Sequence, residues 1–282
     1  MKNILVTGAF GYIGSHVVRV LAQEAGVTLY ALDTQIDNDR KLSNVNYIVG
    51  SFADAGSWLH SLPCVPDVCL HLAWRNGFFH NHPSHMIDLS SHFAFLKLLM
   101  DEGVPHIAVM GSMHEVGYWE GPITDGTPCA PQSLYGIAKN SLREAFLLLA
   151  DEMNVKAQWL RGFYITGDDF GSQSVFGKLL RADAAGQETF PFTSGKNKYD
   201  FLDVKELAKQ IVASILQDDV LGIINCCSGT PMSLGERMER FIADNHLRIS
   251  LEYGAYPDRP YDSPGVWGDN TKILQIMVKA NW

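Results

Sequence analysis

The 282-residue sequence has no C-x-x-C pair, no run of eighteen apolar residues and no basic run. Each absence removes a class of function. Without paired cysteines there is no standard zinc or dithiol motif. The five cysteines, Cys64, Cys69, Cys129, Cys226 and Cys227, read as reduced thiols of a cytoplasmic protein. Without a long apolar run there is no candidate membrane span. The first strand pattern begins directly after Met1, so no signal or transit peptide is expected. With 22 basic against 31 acidic residues the formal charge is −9, which disfavours nucleic acid and anionic membranes as partners. Any bound phosphate must then be held by local groups. Hydrophobic content of 46% and charged content of 19% fit a globular chain, built as one large domain or a main domain with an addition.

What is present begins with a glycine turn, Thr7-Gly8-Ala9-Phe10-Gly11-Tyr12-Ile13-Gly14. It follows the apolar run Ile4-Leu5-Val6, a buried-strand pattern, and opens a helical pattern from Tyr12 to Ala25. Strand, glycine turn and helix together form the context of a dinucleotide site. Gly8 permits the tight turn, Gly11 lets a pyrophosphate approach the backbone, and Gly14 lets the helix pack on the strand. The unpaired N–H groups of the first helical turn attract a diphosphate. The spacing is G-x-x-G-x-x-G, and taken alone it also fits a helix merely packed tightly on a strand.

A second strand pattern, Val27 to Leu32, ends at Asp33, where a carboxylate can hydrogen-bond an adenosine ribose and repel a 2′-phosphate. NAD is therefore expected, with NADP left open because Arg40 and Lys41 stand close by. Further strands are expected at 46–49, 68–72 and 104–110, with a long helix from Ser84 to Glu102 between the last two. Alternating strands and helices imply a doubly wound parallel α/β sheet of the Rossmann type, with ligands beyond the carboxyl ends of its strands. The segments Leu72-Ala73-Trp74-Arg75 and Ser112-Met113-His114-Glu115 then face one crevice.

In the helix opening near Gln132, Tyr135 and Lys139 lie four residues apart and share a face. A tyrosine with an unperturbed pKa of about 10 is a poor base near neutrality. An ammonium one turn away, with a cationic nicotinamide, is expected to favour the phenolate and lower that value. In the reductive direction the phenol donates a proton to the forming alkoxide. The segment His80-Asn81-His82-Pro83-Ser84-His85 does not match a standard zinc spacing. It reads as a polar loop at the crevice mouth, and no metal is expected.

The glycine turn, Asp33, His71-Leu72-Ala73, a serine after the fifth strand and Tyr135-x-x-x-Lys139 together resemble the extended short-chain dehydrogenase/reductase family, specifically its nucleotide-sugar epimerases, dehydratases and reductases. The likeness continues through Leu160–Gly167, Lys198–Val204, Asn225–Ser228 and Arg259…Asp269…Lys272. The resemblance implies a Rossmann domain at 1–165, with 200–226 returning to it, and a discontinuous substrate domain at 166–199 and 227–282. It implies that Tyr135 is the acid/base, that Lys139 binds the nicotinamide ribose, and that Ser112 bonds the reacting oxygen. Dinucleotide contacts are implied for Gly8, Phe10, Gly11, Tyr12, Ile13, Gly14 and Asp33. Ser51, Phe52, Leu72, Ala73 and Trp74 are expected to add to them. Substrate contacts are implied for Arg75, Met113, His114, Glu115, Tyr164 and Arg259. A homodimer built from the helices near 84–102 and 142–150 is implied as well.

The sequence departs from the family pattern in three places. The usual catalytic Ser/Thr falls at Met113, with Ser112 one residue early. Ser51 stands where an acidic residue near adenine is usual, and Tyr164 where many epimerases carry asparagine. A 4,6-dehydratase is expected to use an Asp-Glu pair where this chain has His114-Glu115. The short C-terminal part and the aromatic Tyr164 resemble the 4-keto-reductases. The expected activity is reduction or dehydrogenation at C4 of a dTDP-linked 6-deoxyhexose of the talose or fucose kind. A nucleotide-sugar 4-epimerase is the alternative, and a non-catalytic dinucleotide sensor is the reading from another class. An intact Tyr135/Lys139 pair argues against the sensor, which needs no proton donor.

Overall fold

A computed structural model describes residues 1–167, 174–258 and 263–282. Strand β1 (Lys2–Thr7) passes through the glycine turn into α1 (Tyr12–Leu21), followed by β2 (Val27–Asp33) and β3 (Asn46–Val49). After β4 (Val68–His71) come α2 (Ser84–Ile87), α3 (Leu89–Asp101) and β5 (His106–Ser112). The chain continues through β6 (Gly121–Ile123), α4 (Leu134–Glu152), β7 (Lys156–Gly162), β8 (Tyr164–Thr166), α5 (Val175–Ala184) and β9 (Thr189–Pro191). It ends with β10 (Lys198–Asp203), α6 (Val204–Leu216), β11 (Gly222–Cys226), β12 (Pro231–Ser233), α7 (Leu234–Asp244), β13 (Ser250–Glu252), β14 (Gly265–Gly268) and α8 (Thr271–Lys279).

Seven strands form the main sheet in the order β3-β2-β1-β4-β5-β7-β11, every neighbour parallel. The order in which the chain adds strands reverses between β1 and β4, all strands remaining parallel, which opens the crevice beyond their carboxyl ends. Both faces are covered, which is why β1 reads as a continuous apolar run. Ile4 and Val6 pack with Val17 and Leu21 of α1 and with Leu207 and Ile211 of α6. Leu5, one residue out of phase, packs on the opposite layer with Phe95, Leu99, Leu142 and Phe146. The expected helix at 84–102 is divided at Asp88, whose side chain is taken by Arg75. Strand β5 starts and ends two residues later than the periodicity suggests, because pairing with β7 carries it to Ser112, opposite Gly162.

A smaller unit is centred on β10, which pairs with β8, β12 and β14, while β14 pairs with β6. Its own core gathers Phe176, Leu179, Phe192, Met238 and Phe241. The fully buried Asp200 of β10 accepts from Ser228 N at 2.8 Å, Ser228 Oγ at 2.6 Å, Gly229 N at 2.9 Å and Gly268 N at 3.1 Å. One carboxylate thus joins β10 to two neighbouring segments. Two pieces depart from the division expected at 227–282 and 1–165. Helix α8 packs Ile273 and Ile276 into the α1/α6 layer, and β6 joins the smaller sheet. Apolar periodicity locates a helix but does not name the surface that receives it.

The glycine turn is steric in origin. Gly8 has φ +71°, and a Cβ there would lie 2.8 Å from Ala73 N; a Cβ on Gly14 would lie 2.0 Å from Gly8 O. Gly14→Ala is expected to destabilise the protein by about 1–3 kcal/mol, the usual cost of overpacking. Gly56→Ala, with nothing within 4 Å, is expected to stay within about 0.5 kcal/mol of the native value. Thermal melts of the two variants check this contrast, and equal melting shifts would contradict it.

Candidate active site

A cavity of 1720 Å³ runs from the glycine turn to the smaller unit, where Tyr164, Phe192, Tyr199 and Phe201 line its far end. Gly8, Gly11, Tyr12, Ile13, Gly14, Asp33, Ser51, Phe52, Leu72, Ala73 and Trp74 line the dinucleotide half. Helix α1 begins after Gly11 with no side-chain cap, so its first N–H groups remain available to a diphosphate. Asp33 is fixed by accepting from Phe10 N at 2.8 Å and Thr34 N at 2.8 Å. Phe10 does not line the cavity. Its ring packs against Tyr47 at 5.4 Å, and only its N–H serves the site, by holding Asp33. The Tyr12 hydroxyl donates to Gly167 O at 2.6 Å, joining the turn to the segment after β8. These features suit a dinucleotide.

Tyr135 and Lys139 stand one turn apart on α4 and both line the cavity, with Ser112 beside them. Ser133 caps the helix by accepting from Gly136 N at 3.1 Å. A Cβ on Gly136 would meet His114 O at 2.3 Å, so this glycine lets α4 close on the turn after β5. Burial pushes the Tyr135 phenol up to about 12, opposed by its hydrogen-bonding contact with Ser112 and reinforced by the Glu115 charge. In the chain alone, desolvation thus outweighs the lowering expected from a neighbouring ammonium; the share expected from a cationic nicotinamide belongs to the complex. Lys139 donates to Met110 O at 2.7 Å, and its Nζ sits 3.7 Å from the Trp74 ring centroid. Burial brings its ammonium down to about 7, partly offset by Glu115, so removal from water outweighs the mutual effect of the two groups. The chain alone holds Tyr135 as an acid.

Ser112 caps the short turn 113–115, accepting from His114 N at 3.3 Å, while Glu115 accepts from Ser112 N at 2.5 Å. Met113 and His114 line the cavity, but Glu115 does not. The expectation of a substrate contact at Glu115 is corrected. Its fully buried carboxylate also accepts from Trp159 Nε1 at 2.8 Å and lies 3.5 Å from Arg161 Nη2 and 3.7 Å from Arg143 Nε. Arg75 lines the mouth, exposed and paired with Asp88 through Nε and Nη2 at 2.5 and 2.9 Å. Arg259 lies outside the described residues.

Several residues at the site were not singled out from the sequence. The His80 ring stacks on Tyr135 at 5.4 Å with a 13° tilt, and His85 approaches the same ring at 5.2 Å. His80 also lies 4.2 Å from His114, and its carbonyl accepts from Tyr135 N at 2.8 Å. Burial lowers His80 below the ordinary imidazole value and brings His114 down to about 3. Trp74 donates to His85 Nδ1 at 3.1 Å, leaving His85 Nε2 to donate to Phe79 O at 3.0 Å. The histidine-rich loop noted in the sequence was the available signal. Its partner, Tyr135, is about fifty residues away and gave no local pattern.

The sequence model of the NAD dependent epimerase/dehydratase family matches residues 4–227. The chain belongs to this family. The dTDP-6-deoxy-L-talose 4-dehydrogenase (NAD(+)) of Aggregatibacter actinomycetemcomitans is 43% identical over 270 residues, covering 94% of this chain and 99% of that protein. Among solved structures, a UDP-N-acetylglucosamine 4-epimerase from Methanobrevibacter ruminantium M1, in complex with UDP-N-acetylmuramic acid, matches with a TM-score of 0.84 at 22% identity. The match covers 98% of this chain and 91% of that one. A dTDP-glucose 4,6-dehydratase from Bacillus anthracis, in complex with NAD, matches with a TM-score of 0.82 at 17% identity, covering 100% and 91%. These two share the fold. As a member of the epimerase/dehydratase family the chain is an NAD-dependent enzyme of the extended short-chain dehydrogenase/reductase group.

Two outcomes test this geometry. Between pH 7 and 10.5 the unfolded chain binds a proton at Lys139 that the folded chain does not, so this residue adds stability as pH rises across that window. The stability of the native chain relative to Lys139→Met, followed by denaturant titration, is expected to climb from about pH 7 to about pH 10. A flat or falling difference contradicts the assignment. Glu115→Ala leaves the fully buried Arg161 without its carboxylate. It is expected to cost about 3–5 kcal/mol of stability, the range for breaking a buried ion pair. A shift under about 1 kcal/mol, typical of an exposed pair, would refute the burial argument.

Proposed function

We propose that the chain interconverts a dTDP-linked 6-deoxy-L-talose and its 4-keto form, acting as a C4 dehydrogenase or, in reverse, a 4-keto-reductase. The observation that carries this reading is the 43% identity to the talose 4-dehydrogenase across nearly the whole of both chains. In this proposal Tyr135 is the acid/base, Ser112 holds the reacting oxygen, and the glycine turn with Asp33 receives the dinucleotide. Bound NAD supplies the acceptor or donor of the hydride. The Tyr135 hydroxyl, held protonated by burial, gives its proton to the sugar oxygen in reduction and recovers it in oxidation. The nearby Lys139 ammonium favours the phenolate formed in passing.

The turn after β5 supports simple redox chemistry over dehydration. Removing water needs a carboxylate facing the sugar, and Glu115 is committed to Ser112, Trp159 and two arginines. His114, the other titratable residue of that turn, is neutral near pH 7. At the far end of the cavity the Tyr164 and Tyr199 rings lie 4.2 Å apart, tilted by 37°, an aromatic surface suited to a nucleobase or an apolar sugar face. We assign the Rossmann unit chiefly to the cofactor and the smaller unit to the nucleotide sugar.

We also propose a homodimer formed through α3 and α4, supported by the exposed Ile137 and Leu148 on α4. A cytoplasmic location is supported by the free cysteines. Among the described residues no helix is long and apolar enough to cross a membrane.

Mixing the purified chain with dTDP-6-deoxy-L-talose and NAD is expected to produce reduced cofactor in proportion to sugar consumed. Tyr135→Phe is expected to lower kcat by about 10²–10⁴ while NAD affinity stays within a few-fold, the signature of a lost proton relay. Conversion of the sugar to its C4 epimer with no net change in reduced cofactor would instead establish the epimerase reading. Turnover unaffected by Tyr135→Phe would remove the acid/base assignment.

A further inference from the structure

A chain of buried hydrogen bonds runs from the first strand to the dinucleotide cavity. The fully buried Thr7 Oγ1 accepts from Ala73 N at 3.3 Å and lies 2.7 Å from His71 Nδ1. His71 Nε2 in turn lies 2.9 Å from His92 Nδ1. The direction of this chain follows from proton counting. A hydroxyl has one proton, and the acceptor in reach of Thr7 is His71 Nδ1. A neutral His71 then carries its proton on Nε2 and donates it to His92 Nδ1. A neutral His92 must carry its own proton on Nε2. The opposite order would leave the Thr7 hydroxyl, buried away from water, without an acceptor.

Both rings are held neutral by the same burial. His71 is brought down to about 3, and His92 is lowered further, the Lys139 charge adding to desolvation in each case. His92 cannot turn away from this arrangement. It is sandwiched between Phe52 and Trp74, with centroids 4.3 Å away on each side and tilts of 18° and 15°. The residue is 2% exposed, yet it lines the cavity, and its Nε2 has no partner among the described residues. The edge opposite His71 is therefore the edge presented to a ligand. Its neighbours Phe52 and Trp74 line the dinucleotide half, and Lys139 Nζ sits over the Trp74 ring.

We infer that His92 is a binding residue for the dinucleotide, donating a hydrogen bond from Nε2 to a ribose or diphosphate oxygen, and that Thr7 and His71 are positioning residues that fix this tautomer. The donor is uncharged. Its contact is therefore expected to change little with salt, and to persist from pH 8 down to about pH 5, where an ordinary histidine with a pKa of about 6.5 would gain charge.

The test uses the full chain and NAD alone, so its result does not depend on which sugar the enzyme takes. In protein labelled with ¹⁵N-histidine, the wild-type spectrum is expected to show His71 and His92 as Nε2–H tautomers, with the His92 Nε2–H signal shifted and slowed in exchange when NAD is added. Calorimetric titration is expected to give an NAD Kd about tenfold weaker for His92→Phe, equivalent to about 1.4 kcal/mol. The phenyl ring preserves the stack but has no donor. His92→Gln, whose amide reaches the place of Nε2, is expected to recover most of the loss. Thr7→Val is expected to weaken NAD binding more in the wild-type background than together with His92→Phe. An Nδ1–H tautomer at His92 overturns the inference, and so does a His92→Phe chain that binds NAD with the native Kd. The spectrum is read on the unaltered protein, so the inference remains open to refutation if a variant fails to fold.

Discussion

Glu115 and Arg161 are both fully removed from solvent and lie 3.5 Å apart, and the architecture of the site depends on this pair. The carboxylate also receives the Ser112 N–H and the Trp159 indole, fixing the end of β5 against β7. The guanidinium extends the connection, with Nη1 3.1 Å from Thr124 O and 3.4 Å from Asn225 Oδ1. Asn225 donates to Ile123 O at 2.7 Å and Asp269 O at 3.2 Å, which belong to segments around the smaller sheet. One buried charge pair thus spans both sheets and places the serine hydroxyl. Two charges out of water are costly unless their hydrogen-bonding capacity is used; here both terminal guanidinium nitrogens of Arg161 are engaged, while its Nε is buried without a partner among the described residues.

The same removal from water sets the protonation of the site. Tyr135 is kept as a phenol, Lys139 is brought near neutrality, and His71, His92 and His114 stay uncharged. Around Tyr135 the cavity is lined by neutral imidazoles and aromatic rings, while charged side chains such as Asp33 and Arg75 also line it. In the acid/base role proposed for Tyr135, a cationic ring bound beside the phenol would raise its acidity.

The parts of this arrangement that were legible in the sequence are those whose cause is local. The glycine turn is read from spacing because strand, turn and helix are contiguous and Gly14 answers to Gly8 six residues earlier, although the crowding at Gly8 itself comes from the distant Ala73. Tyr135 and Lys139 are read from the helical period. Apolar runs locate the parallel strands because both faces are buried. Glu115 was misread for the opposite reason. A carboxylate at a strand end in an α/β sheet is a site candidate by position, and only Trp159 and Arg161, more than forty residues further on, reveal it as an internal anchor. Phe10 likewise contributes a backbone N–H, which any residue but proline would offer. The expected lowering of the Tyr135 pKa counted the neighbouring charge but not the loss of water, and burial depth is not written in spacing.

The histidines show the same limit from another side. His71, His92, His80 and His85 come from three separate segments, and the pattern around each names no partner for its ring. Their significance lies in mutual geometry: the His80 ring stacked on Tyr135, the His92 ring held between Phe52 and Trp74, and nitrogens joined in sequence from Thr7 to the cavity. A single imidazole can present either a donor or an acceptor, so an isolated one specifies little. Coupled to a hydroxyl with one proton, a pair of them presents one face only. Specificity for an oxygen acceptor at that point then follows from the connectivity of the core, with no charge required in the pocket.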